Sequence, residues 1–253
     1  MVRALVTQLL EEVPLGWAAV VFLVQNILVF LAAIALGTML CRRFAERRVT
    51  PAPGPVDARE RWLTTSTTIL NAAITWLGLV LHRRGLIHLT GRFDAFVLVE
   101  VALLVVVMDF AMYGLHRVAH HPWLLERLHG PHHAYPHPRP LTLFVLHPLE
   151  TLSFGGLWLL VLMVHEVSWL AITVYLTLNL VWGVVGHVGV EPTPALRRRR
   201  SLRWLAGSAF HAGHHVTPSG NFGFYTTVWD RLFGTLAADY DLDEGAPEAR
   251  REA

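Results

Sequence analysis

Five long apolar stretches constrain the fold of this chain more than any other feature of its sequence. They cover approximately residues 16–40, 64–81, 95–113, 152–164 and 169–188. A bilayer core of ~30 Å is crossed by ~20 helical residues, so these stretches predict membrane helices. The fourth stretch is short, and with the fifth it forms either two spans or a re-entrant hairpin. The predicted fold class is therefore all-α, a multi-span membrane helical bundle of about four to five transmembrane or re-entrant helices.

The composition agrees with a membrane protein and excludes other classes. Apolar residues make up 53% of the chain and charged residues only 16%, against about 25% charged in ordinary globular proteins. The net charge of +2 gives no reason to expect a nucleic-acid partner. The single cysteine, Cys41, excludes an internal disulfide framework and a cysteine-based zinc site. Abundant Ala, Arg, Leu and Val with no Lys are typical of a GC-rich bacterial genome, so we expect a bacterial inner membrane.

The arginine distribution predicts the orientation of the bundle. Six arginines lie between residues 42 and 61, after the first stretch, and only three between residues 83 and 92, after the second. Since cytoplasmic loops carry the excess of basic residues, the loop after the first stretch is predicted to be cytoplasmic. The segments after the third and fifth stretches then lie on the same side. Both segments are rich in histidine, which predicts a histidine-rich helical cap at the cytoplasmic face.

Histidine is the residue type that indicates the chemistry. Seven of the fifteen histidines lie between His116 and His137, and three motifs stand out: HRVAH, HGPHH and HAGHH. Offsets of three and four residues place side chains on one helix face. With one more histidine at the end of the fifth stretch, the candidate metal ligands are His116, His120, His129, His132, His133, His187, His211, His214 and His215.

A metal centre explains this pattern better than its alternatives. One HxxxH pair is weak, but so many imidazoles gathered together would be costly when buried unpaired. A metal ion removes that cost by binding the neutral lone pair. Eight or nine ligands exceed the four that satisfy one zinc ion, so two ions are implied. Imidazole suits Zn, Cu, Fe or Ni, and ligand type alone leaves the metal open.

Two further function classes compete with an enzyme. A non-catalytic membrane metal-binding protein or transporter is the main alternative, although its ligands should lie at mid-membrane depth. A bis-histidine haem protein would need single histidines on facing helices rather than HxxHH doublets.

Two residues that do not bind the metal themselves are predicted to orient its ligands by hydrogen bonds. Asp109 lies seven residues before His116, on the same helical stripe, and a carboxylate inside an apolar span is costly without a partner. Ligand histidines commonly donate their second N–H to a carboxylate, so Asp109 is predicted to orient one. Asn221 follows the third motif and is predicted to orient a ligand or a water, with a packing role as the alternative. No catalytic residue beyond the metal ligands and no cofactor-binding residue is predicted.

With these histidine motifs the chain resembles the fatty acid hydroxylase / sterol desaturase superfamily of membrane di-iron enzymes. The resemblance covers roughly residues 97–236 and begins at DFAMY (Asp109–Tyr113) followed by HRVAH. It continues through HGPHH, HPLE (His147–Glu150), His187 and HAGHH, and ends in NFG and WDRLFGT. Related acyl desaturases also carry three histidine boxes, but with a wider first gap and without the closing motif.

The resemblance implies cofactors, partners and domains. It implies two Fe ions, with O2 as co-substrate, acting on a lipid substrate by hydroxylation or desaturation. The sequence has no haem, flavin or iron–sulfur motif, so electrons would come from an external donor, a ferredoxin or a cytochrome b5-like protein with an NAD(P)H reductase. The domains expected are an N-terminal membrane anchor region over 1–93 with a Pro-rich linker, a fatty acid hydroxylase-like catalytic domain over 94–238, and a disordered tail over 239–253.

Overall fold

The computed structural model describes residues 6, 8, 10–194, 199, 201–238 and 240. The long helices are α1 (Leu15–Arg43), α2 (Ala58–Arg83), α3 (Phe96–Ala119), α6 (Pro148–Val164) and α7 (Trp169–Gly186). Of these, α1, α2, α3 and α7 are long and apolar enough to cross a membrane, while α6 is a shorter apolar helix of 17 residues. The predicted multi-span helical bundle is confirmed. The predicted tail, 239–253, lies outside the described residues apart from Tyr240, and the domain division stays a prediction.

The short elements form the cap at one end of the bundle. Between α3 and α6 the chain passes through α4 (Pro122–Leu124), a π-helix (Leu125–His129), α5 (Gly130–His133) and a 3-10 helix (Pro140–Phe144). After α7 follow α8 (Ser208–Val216) and α9 (Val228–Phe233). A further 3-10 helix, Ala45–Arg47, follows α1.

Two of the long helices begin directly after a residue whose side chain caps the helix N-terminus. Asp57 caps α2 by accepting a hydrogen bond of 2.7 Å from the Glu60 backbone N–H. Ser168 caps α7 in the same way, through its hydroxyl and the Ala171 N–H. The hydroxyl or carboxylate satisfies a donor that the first turn leaves unpaired.

The long helices run alternately up and down, so their ends gather at two opposite faces. At one face the two-residue strands β1 (Leu89–Thr90) and β2 (Val167–Ser168) pair in parallel and form the only sheet among the described residues. At the other face α1 ends against the segment after α7, where the Cys41 thiol contacts the Val188 carbonyl. The segments that follow α1, α3 and α7 therefore share one end of the bundle.

Both antiparallel and parallel neighbours pack against each other within the bundle. The helix α3 packs on α6 and α7, and α2 packs on α1 and α6. The main core lies between these helices and includes Met108, Leu159 and Tyr175. Many apolar side chains remain exposed on the outside, such as Leu98 at 71% and Val106 at 58% of their surface. Exposed apolar surface of this extent is expected where a helix contacts lipid.

Candidate metal centre

The structure brings together all nine predicted histidines at the cap end of the bundle, in two groups. Within each group one ring nitrogen per histidine lies within 4.8 Å of the others. The five-histidine cluster is formed by His116, His120, His129, His133 and His214. The four-histidine cluster is formed by His132, His187, His211 and His215. No other histidine of the described residues joins either group.

Neighbouring histidines in the sequence separate into different clusters. His132 belongs to the four-histidine cluster and His133 to the five-histidine cluster, and His214 and His215 separate in the same way. The short α5 places the first pair, with Pro131 in its first turn. The helix α8 places the second pair. Consecutive residues on a helix point about 100° apart, so one short helix supplies both clusters.

The four-histidine cluster is completely enclosed. Its Nε2 atoms lie 3.0 Å apart between His211 and His187, 3.1 Å between His215 and His211, and 3.4 Å between His187 and His132. All four side chains are buried. Four nitrogen atoms thus converge on one small volume.

In the five-histidine cluster the ring nitrogens also converge. The Nε2 atoms of His116 and His129 lie 3.1 Å apart, and the ring centroid of His214 lies 4.5 Å from that of His116. Of the five, His129 and His214 are buried and the other three are partly exposed. This cluster is therefore the more accessible of the two.

In each ring, the hydrogen bond of Nδ1, which points away from the cluster, determines whether Nε2, which points into it, carries a proton. Nδ1 of His187 bonds the Gly183 carbonyl at 2.8 Å, and Nδ1 of His132 bonds the Val145 carbonyl at 3.1 Å. A carbonyl only accepts, so each Nδ1 carries the proton and each Nε2 of a neutral ring presents a lone pair. Two lone pairs at 3.4 Å repel each other. A cation between them converts that repulsion into attraction, so the arrangement fits a metal site.

The five-histidine cluster repeats this pattern. Nδ1 of His116 donates to the Phe222 carbonyl at 2.8 Å, and Nδ1 of His214 donates to the Gly220 carbonyl at 2.7 Å. Nε2 of His214 is buried and has no hydrogen-bond partner among the described residues. A buried nitrogen whose lone pair points into the cluster and accepts no hydrogen bond fits a metal ligand.

Burial keeps these rings neutral. It lowers the pKa of His187 and of His133 to about 4, and that of His120 to about 3, and neighbouring imidazoles lower these pKa values further. The pKa of His211 is also lowered, first by burial and then by His187. Neutral imidazole is the form that binds metal ions.

Glu150 is a site residue that the sequence reasoning did not assign. It stands in the first turn of α6, is 4% exposed, and its carboxylate bonds Nδ1 of His129. Carboxylate, histidine and metal form a common triad, in which the carboxylate fixes the tautomer. The available signal was a carboxylate in the HPLE segment, at the start of an otherwise apolar helix.

The prediction that Asp109 orients a ligand histidine is wrong. Its carboxylate accepts hydrogen bonds from Tyr225, Thr226 and Trp229, and none of its partners among the described residues is a histidine. Seven residues of helix are about 10 Å, too far for a contact with His116. Asp109 instead ties the segment before α9 to the third span.

Asn221 has the packing role that was the alternative for it. Its side chain accepts from the Ala237 N–H at 2.9 Å and donates to the Phe210 carbonyl at 3.4 Å, so it contacts backbone and no ligand ring among the described residues. It adopts a positive φ of 59°, which Asn tolerates better than most residues.

The closing NFG and WDRLFGT motifs serve the five-histidine cluster through the backbone. Asp230 is fully buried and accepts from the N–H groups of Phe222 and Gly223, at 2.8 and 2.7 Å. These bonds hold the Phe222 carbonyl against His116. A β-carbon on Gly223 would lie 2.2 Å from the Thr226 carbonyl oxygen, so this close approach requires glycine.

Comparison with known proteins identifies the family. The family model for fatty acid hydroxylase matches residues 101–235, more than half of the chain. The chain is 32% identical over 156 residues to lathosterol oxidase of Mus musculus, covering 60% of this chain and 50% of the relative. It is also 32% identical over 130 residues to methylsterol monooxygenase 1 of Danio rerio, covering 51% and 44%. It is 27% identical over 144 residues to a Delta(7)-sterol 5(6)-desaturase of Leptosphaeria maculans, covering 56% and 38%.

The matches span about half the length of these curated relatives or less. No solved structure matches the chain. The family match covers all three histidine motifs, His187 and the closing motif. The resemblance predicted from those motifs is confirmed, and the chain belongs to the fatty acid hydroxylase family.

Proposed function

We propose that this protein is a membrane-bound di-iron, O2-dependent oxidoreductase that hydroxylates or desaturates a lipid. The observation that carries the proposal is the pair of histidine clusters, in which lone pairs of neutral imidazoles converge at the end of a membrane bundle. Family membership supports the lipid chemistry, because the relatives are named for sterol oxidation and desaturation.

Two ions follow from the ligand sets. Five and four imidazoles are each enough for one ion, and no ligand is shared between the groups. Zinc has no redox chemistry, whereas oxidation of a C–H bond needs a metal that changes valence, which favours iron. Two irons, when bound, supply the reductive activation of O2.

The residues of the chain hold and shield this centre. Glu150 and the carbonyls of Val145, Gly183, Gly220 and Phe222 fix the imidazole rings in one orientation. Burial of the four-histidine cluster excludes water from that ion. A fixed ligand set in a dry environment is the contribution that a protein makes to cofactor chemistry.

The position of the clusters supports the predicted partners and location. They lie at the same end of the bundle as the arginine-rich segment after α1, which the positive-inside rule assigns to the cytoplasm. A cytoplasmic active site in a bacterial inner membrane is open to a soluble donor, a ferredoxin or a cytochrome b5-like protein with an NAD(P)H reductase. The membrane supplies the lipid substrate.

The test combines metal analysis with lipid analysis. Detergent-purified protein is expected to contain about two irons per chain and no haem absorption. Membranes that contain the protein should accumulate lipids with one added oxygen or two fewer hydrogens, in a manner that depends on O2 and reductant. His211→Ala should abolish this change, while His165→Ala, an exposed histidine at the opposite end of the bundle, should not.

Two results would contradict the proposal. Zinc alone, or a haem band, would exclude a di-iron centre. A full iron content without any change in lipids, under supply of a competent reductant, would favour the alternative of a non-catalytic metal-binding protein or transporter.

A further inference from the structure

An open pocket lies beside the five-histidine cluster, at the last turns of α3. Its volume is about 650 Å³, within the ~300–1,000 Å³ typical of ligand sites. The lining includes Gly114, the apolar side chains of Val118, Leu124 and Phe222, the exposed Arg117, and His120 of the five-histidine cluster. The pocket therefore connects the protein surface with one of the histidines of the candidate metal centre.

The pocket faces the boundary between the bilayer and water. Gly114 and Val118 belong to a helix long and apolar enough to span the membrane, and they lie within its last six residues. The segments around the pocket carry exposed apolar side chains: Val118 is 55% exposed, Trp123 58% and Leu232 67%. Side chains of this kind are favourable next to lipid and unfavourable in water. A lipid molecule can therefore reach the pocket from the plane of the membrane.

The pocket combines apolar side chains with the polar side chains of His121, Ser219 and Thr235 and with one guanidinium group, that of Arg117. The exposed Arg117 guanidinium bonds the Tyr113 hydroxyl at 3.2 Å through Nη1. A guanidinium has five N–H donors in a planar fork, so further donors are left for an oxygen atom at the rim. Val118, Leu124 and Phe222 offer only apolar surface. This combination suits an amphiphile with an oxygen-bearing head group.

We propose that this pocket is the site where the lipid substrate enters and binds, with its head-group oxygen at Arg117 and its apolar body along Val118, Leu124 and Phe222. This inference rests on the proposed function, because it places the substrate next to His120 of the metal centre. The ligand class is a membrane amphiphile whose head carries a hydrogen-bond-accepting oxygen, as a hydroxyl or a carboxylate.

Gly114 provides a direct test of the pocket. A β-carbon added there would meet no atom within 4 Å, so a larger side chain extends into the open space without a clash. The variant Gly114→Leu narrows the pocket, and Gly114→Ala leaves most of it open. Gly156→Leu is the matched control, because Gly156 also lies on an apolar helix, also has free space around its added β-carbon, and does not line the pocket.

The measurement uses a spin-labelled cholestane with a free hydroxyl and a spin-labelled fatty acid as probes, with protein in nanodiscs. For Gly114→Leu we expect about tenfold weaker binding of at least one probe and about a hundredfold slower lipid oxidation, with unchanged iron content. Gly114→Ala and Gly156→Leu should behave like the wild-type protein. If Gly114→Leu binds both probes and oxidises lipid as well as Gly156→Leu does, the pocket is not the substrate site.

The head group is tested at Arg117. The probe that the wild-type protein binds more tightly indicates whether the head group is a carboxylate or a hydroxyl. Arg117→Gln should weaken binding of both probes, and that of the fatty acid more, because the substitution removes the positive charge that pairs with its carboxylate. Arg127→Gln, an exposed arginine that does not line the pocket, is the control. Unchanged binding of both probes to Arg117→Gln would overturn the role of this arginine.

These outcomes separate the two proposals. If the purified wild-type protein contains no iron, the di-iron function is overturned. Binding of the two probes to that metal-free protein and to its Gly114→Leu variant then still tests the pocket. A wild-type protein with iron and activity, but with no effect of Gly114→Leu, would overturn only the pocket.

Discussion

The two histidine clusters differ in how they are built. The four-histidine cluster is enclosed, and backbone carbonyls orient two of its outer nitrogens: that of Val145 in the cap and that of Gly183 in α7. The five-histidine cluster opens to a pocket at His120 and depends on Glu150 and on the closing segment of the chain. On the proposed function, this difference predicts a division of roles, in which the enclosed cluster binds its ion more tightly and the open cluster lies next to the substrate.

Removing a ligand from the enclosed cluster should have the largest effect. His211→Ala leaves three imidazoles and a buried cavity, whereas His120→Ala leaves four imidazoles in the other cluster. We expect His211→Ala to lose one of about two irons and at least ~100-fold of the activity. His120→Ala should keep more iron than His211→Ala, as measured by metal analysis of the purified variants. Equal losses in both variants would remove the distinction between the clusters.

Glu150 is expected to affect only the open cluster. Glu150→Ala leaves Nδ1 of His129 without its acceptor, so the affinity for that ion should fall about 10–100-fold. The second ion should stay bound. Iron content after graded chelation measures this, and Glu100→Gln is the control, because Glu100 is a buried carboxylate at the opposite end that accepts from the Ser168 N–H. Loss of both ions in Glu150→Ala would show that the clusters are not independent.

Asp230 should have a smaller effect on the same cluster. Asp230→Ala frees the N–H groups of Phe222 and Gly223 and loosens the carbonyl that orients His116. We expect about tenfold weaker binding of the open-cluster ion and a lower melting temperature. Trp204→Ala, a partly exposed residue outside the site, controls for general destabilisation. A lower melting temperature with unchanged metal affinity would leave Asp230 a purely structural role.

The pH dependence of stability should be the smallest effect. Burial lowers the pKa of His133 and of His187 to about 4, from 6.5 in the unfolded chain. Between these values the unfolded state binds protons that the folded state does not, so metal-free protein should lose stability as the pH falls through this window. Thermal unfolding at several pH values measures the loss. Bound metal should reduce it, since the ion competes with protons for the same lone pairs; equal pH profiles with and without metal would contradict this.

The sequence predicted the spans and all nine clustered histidines, because both depend on local patterns. Apolar length predicts a span, and alternate spans return to the same side. The sequence did not predict how the histidines divide between two clusters. Neighbours such as His132 and His133 belong to different clusters, so closeness in the sequence does not indicate which histidines share an ion. The sequence pattern assigned the supporting carboxylate to Asp109, since that residue shares a stripe with His116. The carboxylate that contacts a ring is Glu150, 21 positions from His129, which only the tertiary fold brings into contact.

The carbonyls of Gly220 and Phe222 lie later in the chain than every histidine of the two clusters. During synthesis, a nascent chain that already contains all nine imidazoles still lacks the acceptors that orient two of them. Completion of the open cluster therefore requires the segment after α8 to fold back onto α3 through Asp109. A chain cut before Gly220 would keep the membrane helices and all nine histidines but lack both acceptors, so we expect it to bind a metal ion poorly at the open cluster.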